Sequence, residues 1–389
     1  MPVTSESFSF YVHIPYCISK CPYCDFNSHV VLDIPEKQYI EALLREIGYF
    51  ARLGDWQGRP AQSIFFGGGT PSTFMPRSIG TILERVAELF PVEPSCEITL
   101  EANPGTIDQE NFFGYREAGI NRISVGVQSF EPRLLKFLGR VHSANDGRRA
   151  LQVVKHAGFE NFSFDLIYAN PGQTLAELEA DLDTALEFQP PHLSAYNLTF
   201  EEGTPFHHEY RAGRLRSLSE DEEIAMAELI ENKLSRAGLR RYEISNHARP
   251  GRQSRHNVNY WHGGDYLGLG AGAHSYKRMN IDGVWGRRWS NEKNPGRYMA
   301  LVDAANQAVL DGEDIDRTRA AGEFMFLGLR MTEGISVDAF RVRFGQSPVE
   351  HFPRIADWLE AEFMEETAGY LRLTHQGMMI ANSIFVQFV

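Results

Sequence analysis

The chain has 389 residues, of which 43% are hydrophobic and 23% are charged. This composition is typical of a soluble globular protein and excludes fibrous and disordered chains. No apolar run approaches the ~18 residues of a membrane-spanning helix, and the N-terminal segment lacks the basic start and apolar stretch of a secretory signal. We therefore expect a cytoplasmic protein with two or three domains, or one large domain with an appended module.

The charge balance argues against general nucleic-acid binding. Thirty-eight Lys and Arg residues stand against 51 Asp and Glu residues, which gives a formal net charge of −13. Phosphate backbones are bound mainly by Lys and Arg, so an acidic chain repels them. We expect no nucleic-acid partner and no transmembrane segment, and the composition predicts no particular oligomeric state.

The first 245 residues repeat one pattern, a short β-rich run followed by an amphipathic helical stretch. The strand-like runs, rich in Ile, Val, Phe and Tyr, are residues 8–14, 63–66, 97–101, 122–128, 161–167 and 192–198. The helical stretches are residues 36–53, 78–89, 108–118, 144–157, 174–188 and 219–237. Repeated βα units predict a parallel sheet with right-handed crossovers. Six units predict an α/β fold of the partial (β/α)6 barrel type, open along one side, with a doubly wound sheet as the alternative.

The pattern changes after residue 245. Residues 245–276 are rich in Gly, His and aromatic residues and have little helical periodicity, which predicts a long irregular segment of functional importance. From about residue 322, three helices, a hairpin and a last helix predict a winged-helix-like α+β module that serves as a lid or docking surface. The predicted domains are a barrel over 1–245, an extension over 246–315 and the C-terminal module over 316–389.

Three of the four cysteines lie within eight residues, in the order Cys17, Cys21 and Cys24, whereas Cys96 is predicted to be a buried structural thiol. Thiolates with the spacing CxxxCxxC can converge on a soft metal from one loop. The spacing leaves two interpretations open. One is a zinc ion with a fourth protein ligand, for which His13 and His29 are candidates. The other is a 4Fe-4S cluster with one iron that lacks a cysteine.

A series of motifs in order resembles the radical S-adenosylmethionine (SAM) superfamily and, within it, the coproporphyrinogen dehydrogenase-like branch. The motifs are YVHIPYC before the cysteines, GGGTP (67–71), RISVGVQSF (122–130), DLIY (165–168), PGQT (171–174), YEISN (242–246), HNVNYW (256–261) and GAGAHS (270–275). The resemblance covers nearly the whole chain. It implies a radical-SAM barrel with a 4Fe-4S cluster on the three clustered cysteines and with SAM on the remaining iron.

The resemblance also implies roles for residues at the ends of the predicted strands. Gly68, Gly69 and Thr70 would offer backbone donors to the methionyl group of SAM, and Glu101 would bind its ammonium group or ribose. Tyr11 and Tyr23 would line the cofactor. The positions that match contacts to a second SAM in the dehydrogenases are Gln128, Arg140, Asp165 and Thr199. The alternative is that the glycines form a tight turn and the polar groups only hydrogen-bond at the mouth of a barrel.

Position 26 separates two functions within this branch. The dehydrogenases carry a further cysteine two residues after the third, whereas this chain has Phe26, and only 16 residues precede Cys17. With the HNVNYW motif, these features resemble the HemW-type heme chaperones, in which that motif is associated with heme binding. The resemblance implies a chaperone that binds heme and transfers it to an acceptor protein. The alternative is an oxygen-independent coproporphyrinogen III dehydrogenase, which catalyses an oxidative decarboxylation.

The HNVNYW motif provides the candidate heme ligand. His256 can supply an axial imidazole, and Tyr260 and Trp261 can flank a flat apolar ligand. The alternative is that His256 caps a turn and the aromatic side chains pack beneath the glycine-rich loop. His247 and His274 flank the same segment and are rival ligands.

Overall fold

The computed structural model describes residues 7–281 and 283–388. The prediction that a secretory signal is absent depends partly on residues 1–6, which lie outside the described residues. None of the helices in the described ranges combines the length and the apolar character needed to cross a membrane.

The secondary structure alternates between strands and helices as far as residue 236. The strands are β1 (Phe8–Ile14), β2 (Tyr16–Cys17), β3 (His29–Val30), β4 (Ala61–Gly68), β5 (Val92–Ala102), β6 (Arg122–Gln128), β7 (Phe162–Tyr168), β8 (His192–Asn197), β9 (Arg240–Arg241), β10 (Asn246–Ala248), β11 (Tyr266–Leu269), β12 (His274–Ile281), β13 (Val284–Asn291), β14 (Val309–Ile315), β15 (Ile335–Ser336), β16 (Met364–Thr367) and β17 (Tyr370–Leu373). The helices are α1 (Glu36–Ala51), α2 (Pro76–Leu89), α3 (Gln109–Glu117), α4 (Pro132–Phe137), α5 (Ala144–His156), α6 (Leu175–Glu187), α7 (Pro205–Arg211), α8 (Glu220–Arg236), α9 (Arg255–Trp261), α10 (Pro295–Ala305), α11 (Arg317–Gly328), α12 (Val337–Phe344), α13 (Pro348–His351), α14 (Ile355–Glu360), α15 (His375–Met379) and α16 (Ala381–Phe385).

Six parallel strands form the centre of the largest sheet, in the order β1-β4-β5-β6-β7-β8. The order in the sheet follows the order in the chain, so the βα units wind in one direction around a partial barrel. A doubly wound sheet would reverse its strand order at a switch point. The α/β partial-barrel prediction is therefore confirmed, and the doubly wound alternative is excluded.

Every predicted strand and helix of the first 245 residues is present, and most of them have shifted ends. Thr174 and Ser219 cap α6 and α8 through capping boxes, and Asp108 caps α3, as their residue types favour. The predicted start of the second helix at Ser78 was wrong, because Pro76 occupies the first helical turn, where its missing N–H costs nothing. The short helices α4 and α7 were not predicted.

The prediction of a long irregular segment after residue 245 was wrong. Strand β10 pairs antiparallel with β8, and β11 pairs parallel with β1 at the opposite side of the barrel. Strands β12, β13 and β14 continue from β11 as an antiparallel extension of the same sheet. The HNVNYW motif lies on helix α9, which Ser254 caps. The extension therefore adds strands to both edges of the six-stranded parallel sheet, β10 beside β8 and β11 beside β1.

The C-terminal helices and the small sheet β15-β17-β16 form a winged-helix-like module, as predicted. The predicted last helix is divided at Ile380 into α15 and α16. The module has an apolar core of its own, which includes Met325, Phe340 and Leu371, separate from the main core between the barrel strands and helices.

Candidate functional site

The carboxyl ends of the barrel strands and the loop that carries the three clustered cysteines enclose a cavity of about 150 Å³. We call it the cysteine cavity. Its lining includes Cys17, Cys21 and Cys24, together with residues from the ends of β4, β5, β6 and β7. These strands are parallel, so their carboxyl ends meet at one edge of the sheet. The fold thus brings residues from five segments of the sequence to one place.

Two of the cysteine sulfurs have hydrogen-bond donors from the cavity wall. The hydroxyl of Thr70 donates to Sγ of Cys17 at 3.4 Å, and Nη1 of Arg140 donates to Sγ of Cys21 at 3.4 Å. Burial raises the pKa of the Cys17 and Cys24 thiols. A coordinating metal deprotonates thiols outright, and donors to sulfur then stabilise the thiolate charge.

The described residues present no convergent set of ligands for a single zinc ion. Zn–S bonds of about 2.3 Å require ligands that converge on one point. In the part of the chain that the structure describes, no three His, Cys, Asp or Glu side chains converge in this way. The proposed fourth zinc ligands, His13 and His29, line a different cavity, and Nε2 of His13 lies 2.8 Å from the carbonyl oxygen of Asn27.

The glycine-rich turn after β4 lines the cysteine cavity but does not offer free N–H groups. The N–H of Gly68 donates to the Glu101 carboxylate at 3.2 Å, that of Gly69 to the Ile14 carbonyl at 2.7 Å and that of Thr70 to the Tyr16 carbonyl at 2.8 Å. The donor role toward SAM stays a prediction. The glycine at position 69 is needed for close packing, because a Cβ there would lie 2.6 Å from the Tyr16 carbonyl oxygen.

Two half-buried carboxyl groups, those of Glu101 and Asp165, face the cysteine cavity. Burial, together with the negative charge of Asp165, raises the pKa of Glu101 to about 8. Burial raises the pKa of Asp165 to about 6, against the opposing effect of Ser194 and Arg122. A cation bound between them, such as a sulfonium or ammonium group, would favour the carboxylate forms and release protons.

The opposite wall consists of Tyr23, Gln128 and Arg140. Nη1 of Arg140 lies 3.4 Å from the Tyr23 hydroxyl, and Nη2 donates to the Gly126 carbonyl at 2.9 Å. Gln128 ends β6 at a register shift with a φ of 68°. Its Oε1 and the Nε of Arg140 are buried and have no partner within the described residues. These orphaned polar atoms match a polar cofactor in the cavity.

Two predicted residues lie outside the cysteine cavity. Tyr11 lines the two neighbouring cavities, and its hydroxyl bonds Nδ1 of His13 at 3.0 Å. Thr199 is exposed, and its hydroxyl donates to Glu201 at 2.6 Å. Its position two residues beyond β8 is outside the lining of the cysteine cavity, and a contact with a second SAM there stays a prediction.

A second cavity of about 400 Å³, the barrel cavity, shares Glu101 and Asp165 with the cysteine cavity. Trp261 lines it and packs under the Arg330 guanidinium, whose carbon lies 4.4 Å from the ring centroid. His256 also lines this cavity and is buried. Its Nδ1 lies 3.0 Å from the Ser63 hydroxyl and its Nε2 lies 3.0 Å from the Tyr260 hydroxyl.

Both ring nitrogens of His256 are therefore occupied. The ring also stacks on Phe65 with a centroid distance of 4.9 Å, and burial lowers its pKa to about 3. The role of His256 as the axial ligand stays a prediction, and in this structure its ring is engaged by protein groups at both nitrogens. The rival His247 is buried, and its Nε2 lies 3.4 Å from the Glu231 carboxylate. It lines neither the cysteine cavity nor the barrel cavity.

A third cavity of about 540 Å³ lies between the cysteine loop and the extension. We call it the histidine cavity, because His13, His29 and His274 line it. Lys20 and Lys293 lie at the same cavity and were not singled out from the sequence. The GAGAHS motif was the signal that could have drawn attention to this region, since it places His274 at the start of β12.

The barrel and its cysteine loop define a radical SAM protein. Residues 11–185 match the Radical SAM superfamily, and residues 315–380 match the HemN C-terminal domain. Membership of the superfamily implies a 4Fe-4S cluster and SAM. The coproporphyrinogen III oxidase HemN of Escherichia coli, a radical SAM enzyme of known structure, superposes with a TM-score of 0.82 over 99% of this chain and 90% of its own. At 23% identity this similarity shows the fold alone.

Full-length relatives identify the family. The heme chaperone HemW of E. coli is 36% identical over 98% of both chains. HemW of Bacillus subtilis is 35% identical over 98% of this chain and 99% of its own, and HemW of Haemophilus influenzae is 37% identical over 98% and 97%. This chain belongs to the HemW family of radical SAM proteins.

Proposed function

We propose that the chain is a heme chaperone that binds heme and transfers it to an acceptor protein, with a 4Fe-4S cluster and SAM as its cofactors. The observation that carries the proposal is the match to HemW chaperones along almost the full length of both chains. The HemN oxidase shares the fold but only 23% of the sequence. We further propose that the chain has three domains, which are the barrel (1–245), the extension (246–315) and the C-terminal module (316–389). We also propose that the protein is located in the cytoplasm.

Phe26 supports the chaperone over the dehydrogenase. It stands where the dehydrogenase branch has a further cysteine, and its side chain is 61% exposed. Phe26 lines the cysteine, barrel and histidine cavities. An exposed aromatic ring at the meeting point of three cavities contributes apolar contact area rather than a metal ligand.

The residues of the cysteine cavity suit the two cofactors. Cys17, Cys21 and Cys24 would hold the cluster, and Glu101, Asp165 and the Gln128–Arg140 wall would hold SAM. The cluster, when bound, supplies an iron site for the SAM methionyl group and one-electron chemistry. Arg140 orients Tyr23 and donates to the Cys21 sulfur, while Glu101 fixes the glycine turn through Gly68.

An anaerobic comparison tests the proposal. The reconstituted protein is titrated with heme and, separately, incubated with SAM, a reductant and coproporphyrinogen III. We expect a heme absorption band that saturates with the protein, transfer of that heme to an apo-heme protein, and no loss of CO₂ from coproporphyrinogen. Decarboxylation with no retained heme would establish the dehydrogenase instead. A colourless protein that binds zinc would overturn both functions.

A further inference from the structure

The histidine cavity combines features that neither neighbouring cavity has. Its volume of about 540 Å³ lies within the range of about 300–1,000 Å³ that suits cofactor-sized ligands. The cysteine cavity, at about 150 Å³, is the one assigned above to the cluster and SAM. The lining of the barrel cavity includes buried charged side chains, among them Arg122 and Glu243. Of the three, the histidine cavity has the largest volume.

Aromatic side chains form one wall of the histidine cavity. Tyr260 packs edge-on against Tyr266 with a centroid distance of 4.6 Å, and Tyr11 and Phe26 line the same cavity. The Tyr260 hydroxyl is fixed by Nε2 of His256 at 3.0 Å. The HNVNYW motif therefore reaches this cavity through Tyr260, although His256 itself lines the barrel cavity.

Lys20 and Lys293 give the cavity a positive rim. Both side chains are exposed, and the acidic residue that lines the cavity with them is Asp25. Cationic groups beside an aromatic wall suit a ligand that is flat, apolar and carries carboxylates at its edge. The net charge of the chain is −13, so a positive rim is a local departure from the rest of the surface.

His274 is the histidine of this cavity with the least engaged ring. Within the described residues its imidazole makes no hydrogen bond, whereas His13 bonds Tyr11 and Asn27, and Nε2 of His29 lies 3.2 Å from the Asn27 side-chain oxygen. Burial and the nearby charges of Lys293 and Arg288 lower the pKa of His274. A neutral imidazole retains the lone pair with which it binds iron.

The two sides of the cavity are held together by Asn27. Its Nδ2 donates to the carbonyl oxygens of Ala271 at 3.0 Å and Lys293 at 2.9 Å. Gly272 permits this approach, because a Cβ there would lie 2.4 Å from Nδ2 of Asn27, and its φ of 75° suits glycine. The cysteine loop and the extension are thus fixed relative to each other, which makes the cavity a preorganised site.

We infer that the histidine cavity is the heme site of this chain, with His274 as the axial ligand, Lys20 and Lys293 as partners of the heme carboxylates, and Tyr260 beside the macrocycle. This inference rests on the proposed function and gives it a location. His256 then acts as a positioning residue for Tyr260. The bound heme would lie against the loop that carries the three cysteines.

Titration with two ligands, one with iron and one without, distinguishes the contact between His274 and iron from the contacts between the lysines and the carboxylates. The full chain is titrated with heme by absorption and with metal-free protoporphyrin IX by fluorescence. For His274→Ala we expect a shifted heme band that free imidazole restores, and a protoporphyrin affinity within about twofold of the unsubstituted chain. For Lys20→Glu with Lys293→Glu we expect about a tenfold loss of affinity for both ligands.

Matched controls are His262→Ala and Lys37→Glu, since both side chains are exposed and neither lines the histidine cavity. A heme band in His274→Ala identical to that of His262→Ala overturns the axial assignment, as does loss of the band in His256→Ala with retention in His274→Ala. Equal affinities in the lysine variants and in Lys37→Glu overturn the carboxylate contacts. If the unsubstituted chain binds neither ligand, the proposed function itself fails.

Discussion

His256 and Tyr260 lie one turn apart on α9, and Nε2 of the imidazole is 3.0 Å from the phenolic hydroxyl. The other ring nitrogen of His256 lies 3.0 Å from the hydroxyl of Ser63 on β4. The pair therefore connects the wall of the barrel to the aromatic wall of the histidine cavity. His256 therefore affects a ligand in the histidine cavity indirectly, because it positions the Tyr260 side chain.

Replacement of His256 by Ala should lower heme affinity severalfold and leave the axial band in place. The substitution also removes the histidine partner of the Tyr260 hydroxyl, leaves Ser63 with Ser9 alone and creates a cavity, so the free energy of unfolding should fall by about 3 kcal/mol. Heme titration and urea denaturation measure the two effects. Tyr260→Phe, which removes the hydroxyl alone, should reproduce the loss of affinity with a smaller loss of stability. A vanished axial band in His256→Ala would restore His256 as the ligand.

Replacement of any clustered cysteine by Ser should abolish cluster assembly while the fold is retained. Three sulfurs are the minimum that holds a cluster with one open iron, and a hydroxyl binds iron too weakly to replace a thiolate. The measurement is iron per chain and visible absorption after anaerobic reconstitution of Cys17→Ser, Cys21→Ser and Cys24→Ser. The control is Cys96→Ala, since Cys96 is buried away from the cavity. Normal iron in any of the three variants would contradict its assignment as a ligand.

The parallel barrel could be predicted from the sequence because its strands are buried on both faces. β1 and β6 are rich in aromatic and β-branched residues and are buried along most of their length, and their predicted bounds match the structure. The extension could not be predicted in the same way. β11 has four residues and α9 has seven, so each covers only about two periods of its pattern, which is too short to distinguish it from irregular chain. The partner of β11 is β1, at the other end of the chain, and local sequence carries no signal of that pairing.

The cysteine cavity was largely predictable because parallel strands bring their carboxyl ends to one edge. Glu101, Gln128 and Asp165 were singled out by their positions at strand ends or within strands, and all three line the cavity. The histidine cavity was not predicted as a site. Lys20 and Lys293 are far apart in sequence and meet only because Asn27 joins the cysteine loop to the extension.

Removal of the Arg140 guanidinium should lower the reduction potential of the cluster. Nη1 of Arg140 donates to the Cys21 sulfur at 3.4 Å, and a donated hydrogen bond and a positive charge both stabilise the more negative reduced cluster. Arg140→Met keeps an unbranched side chain and removes both effects. Anaerobic spectroelectrochemistry measures the potential, with Arg133→Met as the control, because Arg133 lies on α4 and pairs with Glu177 on α6. A potential equal to that of the control would show that the Arg140 contact does not reach the cluster.

Glu46 joins α1 to the extension through a buried carboxyl group. Tyr298 donates to it at 2.7 Å, Nδ2 of Asn291 at 2.7 Å and the N–H of Gly270 at 2.9 Å. Burial raises the pKa of Glu46 from 4.5 to about 7, against the opposing effect of these three donors. The native chain therefore holds a proton at Glu46 between pH 4.5 and 7, where the unfolded chain has released it.

The contribution of Glu46 to stability is greatest below pH 4.5 and is lost as the pH rises through 7. Between pH 5.5 and 7.5 the loss amounts to about 2 kcal/mol. Glu46→Gln cannot titrate, so its free energy of unfolding should fall less than that of the unsubstituted chain over this interval. Urea denaturation at both pH values measures the difference, and Glu41→Gln, an exposed position on the same helix, is the control. Parallel pH profiles for the unsubstituted chain and Glu46→Gln would mean that Glu46 keeps an ordinary pKa, with its three donors compensating fully for burial.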